Sequence, residues 1–152
     1  MSHDKNCIFC AIARDEAPAH RVLEDEQTLV FMDIFPVADG HVLIVPKSHR
    51  ENLFEITPEE MAAVARMSRR VGLAMRHALA PEGLMVFQLN GAAAGQTVFH
   101  YHMHLMPRRE GEALALHTRV PGDPTRLAEN ARRIAMSLEI LTDRAGSDQR
   151  PR

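Results

Sequence analysis

Apolar and polar positions alternate in short runs over the first fifty residues and then fall into two long stripes of helical spacing. After the turn-like Asp15-Glu16-Ala17-Pro18, the segment His20 to Glu24 alternates well enough for a short strand. Thr28 to Asp33 is a second run, rich in strand formers and closed by Phe35-Pro36 and Asp39-Gly40. His41 to Val45 is apolar after its first residue and ends at Pro46, which predicts a strand in the middle of the sheet. Thr57-Pro58-Glu59-Glu60 carries an N-cap, a proline at the first helical position and a capping-box glutamate. The stripe that follows, Met61, Val64, Ala65, Val71, Ala74, Met75 and Ala78, predicts a helix covering the sheet, stopped by Pro81 and Gly83. Further strands are expected over Leu84–Leu89 and from about Val98 to Met106, separated by the loop Asn90 to Gly95. Asp123-Pro124 opens a second amphipathic helix through Leu127, Ala131, Ile134, Leu138 and Leu141.

Connections between the early strands are too short for parallel crossovers, so the fold class is α+β with about five strands in a mainly antiparallel sheet, a central helix and a C-terminal helix. One domain over residues 1–142 is expected, with the charged stretch 143–152 as a disordered tail. The length of 152 residues, at 17.0 kDa and 45% hydrophobic, suits a single core. A formal charge of −2 excludes the basic excess that a nucleic acid polymer or an anionic membrane would call for. Neither a membrane span nor a secretory apolar region is visible, so a cytoplasmic location is expected.

Histidine, present nine times, changes the picture. In Phe99-His100-Tyr101-His102-Met103-His104-Leu105 three imidazoles recur at period two, which on a strand puts them on one face. Three ring nitrogens on one face suit either a zinc ion or a nucleophilic imidazole framed by two helpers, and the spacing permits both. Asn90-Gly91 and Gly95-Gln96-Thr97, immediately upstream, supply main-chain N–H groups, an amide and a hydroxyl of the kind that hold a phosphate. Asp33 closes a strand where a carboxylate can accept hydroxyl hydrogen bonds, and Ile34 beside it can wall a base. The two cysteines, Cys7 and Cys10, fit half of a zinc site, a redox pair or a buried pair. His3, His20, His77 and His117 have no constellation around them and read as surface or helix-face residues.

Gly95-Gln96-Thr97-Val98-Phe99-His100-Tyr101-His102-Met103-His104-Leu105-Met106 resembles the signature of the histidine-triad (HIT) superfamily, and the likeness extends through Cys7-Ile8-Phe9-Cys10, Phe31 to Pro36 and Gly40 to His49. It thus covers roughly residues 5 to 110 in order and suggests a bacterial-type, Hint-like member with an N-terminal Cys-x-x-Cys. The resemblance implies a HIT-like fold and a nucleotide hydrolase in which His102 attacks the α-phosphate of a purine nucleotide, forms a nucleotidyl-histidine and releases a nucleoside monophosphate. It implies that the main-chain carbonyl of His100 orients His102, that His104 and His41 bracket the phosphate and leaving group, and that Gln96 and Thr97 contact phosphate with Asn90 beside them. Asp33 would bind the ribose hydroxyls. In bacterial relatives the cysteine pair resembles a structural zinc site, completed here by His49 and His100, with no metal needed for the chemistry. Similar proteins pair as homodimers through the helix and a sheet edge. His104, where transferase branches carry glutamine, fits the hydrolases; an adenosine 5′-phosphoramidate-type substrate is favoured over a dinucleoside polyphosphate, and a non-catalytic nucleotide- or zinc-binding protein is the other reading.

Overall fold

The computed structural model describes residues 1–148, in the order α1 (Ile8–Ala13), β1 (Arg21–Glu24), β2 (Thr28–Met32), β3 (Val42–Pro46), α2 (Pro58–Leu79), β4 (Gly83–Phe87), β5 (Met103–Arg108) and α3 (Pro124–Asp148). The five strands form one sheet in the order β1-β2-β3-β5-β4, antiparallel at every pairing, with β3 central as its apolar run dictates. No described helix is long and apolar enough to cross a membrane.

Side chains alternate across the sheet and both faces are covered. Val30, Met32, Val42, Ile44 and Leu105 pack under α2 and α3 with Val64, Met67, Val71, Ile134 and Leu138. Leu29, Phe31, Leu43 and Val45 pack on the other face against Cys7, Phe9, Cys10 and Ile12 of the N-terminal segment. Each of these large side chains, fully buried, contributes roughly 1.5–3 kcal/mol. The parity carries forward along each strand: Asp33 follows Phe31, His41 precedes Leu43, and His104 pairs across from Leu43, so all three lie on the α1 face.

Thr57 caps α2 through the expected reciprocal bonds: the Glu60 N–H donates to its hydroxyl at 3.2 Å and its own N–H donates to the Glu60 carboxylate at 3.0 Å. Arg50 grips that same carboxylate with two bonds of 2.8 and 3.0 Å, tying the chain after β3 to the helix start. Gly40, with φ +89°, makes the turn into β3 so close to α2 that a Cβ there would come within 2.5 Å of Leu79.

Four features depart from the sequence reading. The helix α1 has no amphipathic length to announce it; six residues form a marginal helix unless tertiary contacts hold them, and here Phe9, Cys10 and Ile12 are buried. The last strand begins at Met103 rather than near Val98, because the groups upstream are committed elsewhere: Tyr101 N–H donates to the Arg50 carbonyl and the His100 carbonyl accepts from the His102 ring. Met61 and Ala65 are exposed, and the covering stripe of α2 passes instead through Val64, Met67, Val71 and Met75. Finally, α3 continues to Asp148, beyond the boundary expected at 143, and residues 149–152 lie outside the described part of the chain.

Candidate functional site

The histidine ladder does not present three equivalent rings, since those of His102 and His104 lie together and that of His100 turns into the cysteine pair. His102 is only 6% exposed, and its Nδ1 lies 2.6 Å from the His100 carbonyl. A carbonyl only accepts, so the proton sits on Nδ1 and the lone pair on Nε2. Among the described residues no group hydrogen-bonds to that Nε2. The ring is held from the side by Phe9 of α1, edge-on at 5.2 Å between centroids.

Next to it, the rings of His41 and His104 approach to 2.9 Å, Nε2 to Nδ1. The Val37 N–H donates to His41 Nδ1 at 3.3 Å, which leaves the proton of His41 on Nε2 and makes Nδ1 of His104 the acceptor. The proton of His104 therefore rests on its Nε2, which is buried and has no hydrogen-bond partner. A donor left unpaired inside the protein is costly unless something is to occupy it. Phe87 of β4 stacks flat on His104 at 4.3 Å and 5°, fixing the ring plane.

Burial drives all of these rings toward the neutral form. Desolvation holds His41 at about 4, with the neighbouring His102 a smaller cause, and pushes His104 down to about 2, with His102 and His41 adding to it. His102 is lowered by the same burial, opposed by its bond to the His100 carbonyl. The trio is thus a neutral ring with a free nitrogen lone pair beside a neutral N–H donor, rather than a cluster of imidazolium ions.

Asp33 stands 3.7 Å from His41 Nε2 through Oδ2, while its Oδ1 accepts from the Phe35 N–H at 2.9 Å. Burial raises its pKa. Ile34 is half exposed beside it. Asp33, His41 and His104 offer ligand atoms close enough together for a metal, but their hydrogen bonds are already those of a donor–acceptor chain.

The loop before the triad is built differently from expectation. Gln96 is 3% exposed, with both side-chain N–H groups donated to the Glu51 and Val98 carbonyls at 2.7 and 3.1 Å and its Oε1 accepting from Gly91 N–H at 2.7 Å. Its amide is spent on shaping the loop and has no donor left to give a phosphate. Asn90 Oδ1 likewise accepts from Leu53 N–H and from Gln88, each at 2.7 Å, and its Nδ2 returns a bond to Gln88. Thr97 is exposed, with its hydroxyl uncommitted. Of the basic residues near the ladder, Lys47 pairs with Glu24, Arg50 with Glu60 and Arg108 with Glu112.

His100 turns away from His102 and His104. Its Nε2 donates to the Pro46 carbonyl at 2.8 Å, which turns the Nδ1 lone pair toward Cys7 Sγ at 3.4 Å and Cys10 Sγ at 3.6 Å. His49 Nδ1 lies 3.4 Å from Cys10 Sγ, and the Asp4 N–H points at the same sulfur from 3.4 Å. All four ligand atoms lie within 4.8 Å of one another. A sulfur–nitrogen edge of a zinc tetrahedron measures about 3.5 Å from the usual bond lengths, so the donor set fits that ion. The Pro46 carbonyl supplies the outer hydrogen bond that fixes a metal-binding imidazole.

Sequence reasoning missed Phe9, Phe87 and His117. Phe9 figured only within the Cys-x-x-Cys segment and Phe87 only within an expected strand, and His117, read as a surface or helix-face residue, is brought against Gly95 only by the fold.

The HIT domain family model matches residues 14–111. Among curated proteins, the chain is 44% identical over 104 residues to "Protein hit" of Bacillus subtilis, 68% of this chain and 72% of that one. It is also 38% identical over 109 residues to a protein of Arabidopsis thaliana named adenylylsulfatase HINT3, covering 72% of this chain and 55% of that one. Among solved structures, a Zn-bound histidine triad family protein from Mycobacterium smegmatis superimposes with a TM-score of 0.81 at 39% identity, over 91% of this chain and 96% of the other. A Hit-like protein from Bartonella henselae gives 0.82 at 36% identity, over 90% and 99% of the two chains.

Proposed function

Because this chain belongs to the HIT family, we propose that it is a nucleotide hydrolase working through a covalent nucleotidyl-histidine, and the observation that carries this is the tautomer of His102. With Nδ1–H held by the His100 carbonyl, Nε2 has its lone pair free. That nitrogen attacks the α-phosphorus, a P–N bond forms, and the bond to the leaving group breaks with its electron pair. The unpartnered Nε2–H of His104 meets the phosphoryl oxygen on which charge develops. Water then attacks phosphorus, the P–Nε2 bond breaks, and a nucleoside monophosphate departs. Asp33 accepts from the ribose hydroxyls, Ile34 walls the base, and Thr97 offers its hydroxyl to the phosphate. Gln96 and Asn90 act by holding the loop's shape.

Neutral rings give hydrogen bonds readily but protons poorly. The amine of an adenosine 5′-phosphoramidate must therefore gain the one proton it needs to leave as ammonia from solvent water, whereas the phosphate chain of a dinucleoside polyphosphate departs as a stable anion without one. The relative named adenylylsulfatase points to the same chemistry, sulfate being a leaving group of this kind.

Cys7, Cys10, His49 and His100 would hold one structural zinc per chain, a reading supported by the zinc-bound relative and by the geometry of the four donors. The ion would lock α1, and hence Phe9, against His102 without entering the reaction. Pairing of two chains is supported by the edge strand β4, whose Leu84 and Val86 are exposed. Leu84 lies on Gly72 of α2, where a Cβ would come within 3.3 Å of it, and the exposed Met61 and Ala65 share that helix face.

The direct test is release of adenosine monophosphate from adenosine 5′-phosphoramidate in the presence of chelator by the wild type and by His102→Ala. Release by the wild type and none by the variant is expected; equal turnover by both would remove His102 as the nucleophile.

A further inference from the structure

A segment outside the triad reaches the loop that precedes it. Residues 109–122 leave β5 and are pinned at both ends: the Arg108 guanidinium donates to the Glu112 and Ala113 carbonyls at 3.1 and 2.8 Å, and the Gly122 N–H donates to the Ile34 carbonyl at 2.8 Å. Between these anchors His117, exposed to solvent, lays its ring on Gly95. Its Nε2 is 3.0 Å and its Cδ2 3.7 Å from the point that a Cβ on Gly95 would occupy. Gly95 has φ +95° and no side chain, and both properties are needed, the first for the turn and the second for the ring. His117 also lies within electrostatic reach of Asp33, His41, His102 and His104. An exposed residue felt by all four stands at the mouth of the site.

Displacement at phosphorus runs in line, with nucleophile and leaving group on opposite sides. His102 is buried in the floor. A leaving group opposite it must project toward the mouth, where the buried trio has no further donor to offer and His117 is the imidazole in place. We propose that His117 determines the choice of leaving group, donating a hydrogen bond to a tetrahedral oxyanion, phosphate or sulfate, attached to the α-phosphorus of the bound nucleotide. The proposal rests on the nucleotide-hydrolase reading above and adds a specificity to it.

The test compares wild type, His117→Ala and His117→Gln on three substrates: ADP, adenosine 5′-phosphosulfate and adenosine 5′-phosphoramidate. In His117→Ala, kcat/KM is expected to fall about tenfold or more on the oxyanion substrates and to stay within about twofold on the phosphoramidate, with partial rescue in His117→Gln. A loss on ADP alone assigns the site to phosphate, and a loss on the phosphosulfate alone assigns it to sulfate. Binding supplies a readout free of turnover. In a His102→Ala background, calorimetry should show His117→Ala weakening ADP by about fivefold or more and AMP by less than about twofold. Equal effects on AMP and ADP, or none on either, would overturn the role of His117 while leaving the hydrolase reading intact. Failure of the parent protein to bind or turn over any of these nucleotides would overturn both.

Discussion

Nε2 of His41 and Nδ1 of His104 lie 2.9 Å apart, and the Val37 N–H behind His41 decides which of them owns the proton. Both rings are neutral and of the same tautomer, His41 and His104 each carrying hydrogen on Nε2, with Nδ1 accepting from the Val37 N–H in one and from His41 in the other. Nitrogen-detected NMR should find both rings in the Nε2–H form and neither titrating between about pH 8 and about pH 5. An inflection of either ring near its ordinary value would contradict the arrangement.

Acid stability follows from the same burial. The unfolded chain protonates His41 near the ordinary histidine value, whereas in the folded protein it is held at about 4. Between those two values the unfolded state binds more protons, so stability falls as pH drops through this window and levels off below it. His41 alone should remove about 2–3 kcal/mol by pH 4.5 or so. Asp33, raised by burial, works in the opposite direction. Urea denaturation across this range should show a shallower loss for His41→Gln than for the wild type; parallel curves would remove His41 as a source of the acid sensitivity.

Metal content and thermal stability report on the cysteine–histidine cluster. One zinc per chain is expected by elemental analysis, lost in Cys10→Ser, with a fall in Tm of about 10 °C or more because the ion's binding energy is folding energy. Below its own Tm, the chelated protein should keep its turnover. Full-strength stability in Cys10→Ser would mean that α1 is held by its apolar contacts alone.

The sequence pattern made the sheet, the capped helix and the cysteine half of a metal site legible because each rests on local chemistry: alternation in β2 and β3, the Thr57–Glu60 box, and the Cys7-x-x-Cys10 spacing; His49 and His100 were expected beside the cysteines only through the family resemblance. What escaped it was set by distant contacts. Gln96 looked like a phosphate ligand, but the Glu51 carbonyl, forty-five residues away, claims its amide. The strand period alone put His100 in line with His102 and His104, and it is the contact with cysteines some ninety residues away, expected only from the family resemblance, that draws its ring aside. Phe9 and His117 reached the site only through tertiary packing, a six-residue helix in one case and a pinned loop in the other.

Phe9 links the cysteine–histidine cluster to the proposed nucleophile, since it follows Cys7 by two residues and meets the His102 ring edge-on at 88°. Phe9→Leu keeps apolar volume while losing that flat wall. It should lower kcat about three- to tenfold with KM within about twofold, as expected for a residue that orients the attacking ring without touching substrate. Phe9→Ala should add a stability loss of about 3–5 kcal/mol from the cavity. A rise in KM with kcat unchanged would place Phe9 in substrate binding instead.

The edge of the sheet gives the last prediction. Only one side of β4 is paired, to β5, so its free main-chain groups and the exposed Leu84 and Val86 offer a surface that proteins ordinarily blunt with charge or cover. Here the strand itself, Gly83-Leu84-Met85-Val86-Phe87, carries no charge at all. A second chain laid antiparallel along it would extend the sheet, and Met61 and Ala65 on the neighbouring helix face would be covered at the same time. Val86→Lys should shift the protein from dimer to monomer in sedimentation velocity. The effect should reach catalysis too, because Phe87 lies next in the strand and stacks on His104; a monomeric variant whose β4 frays should lose kcat along with association. Sedimentation as a monomer by the wild type would leave the bare edge without a partner of its own kind.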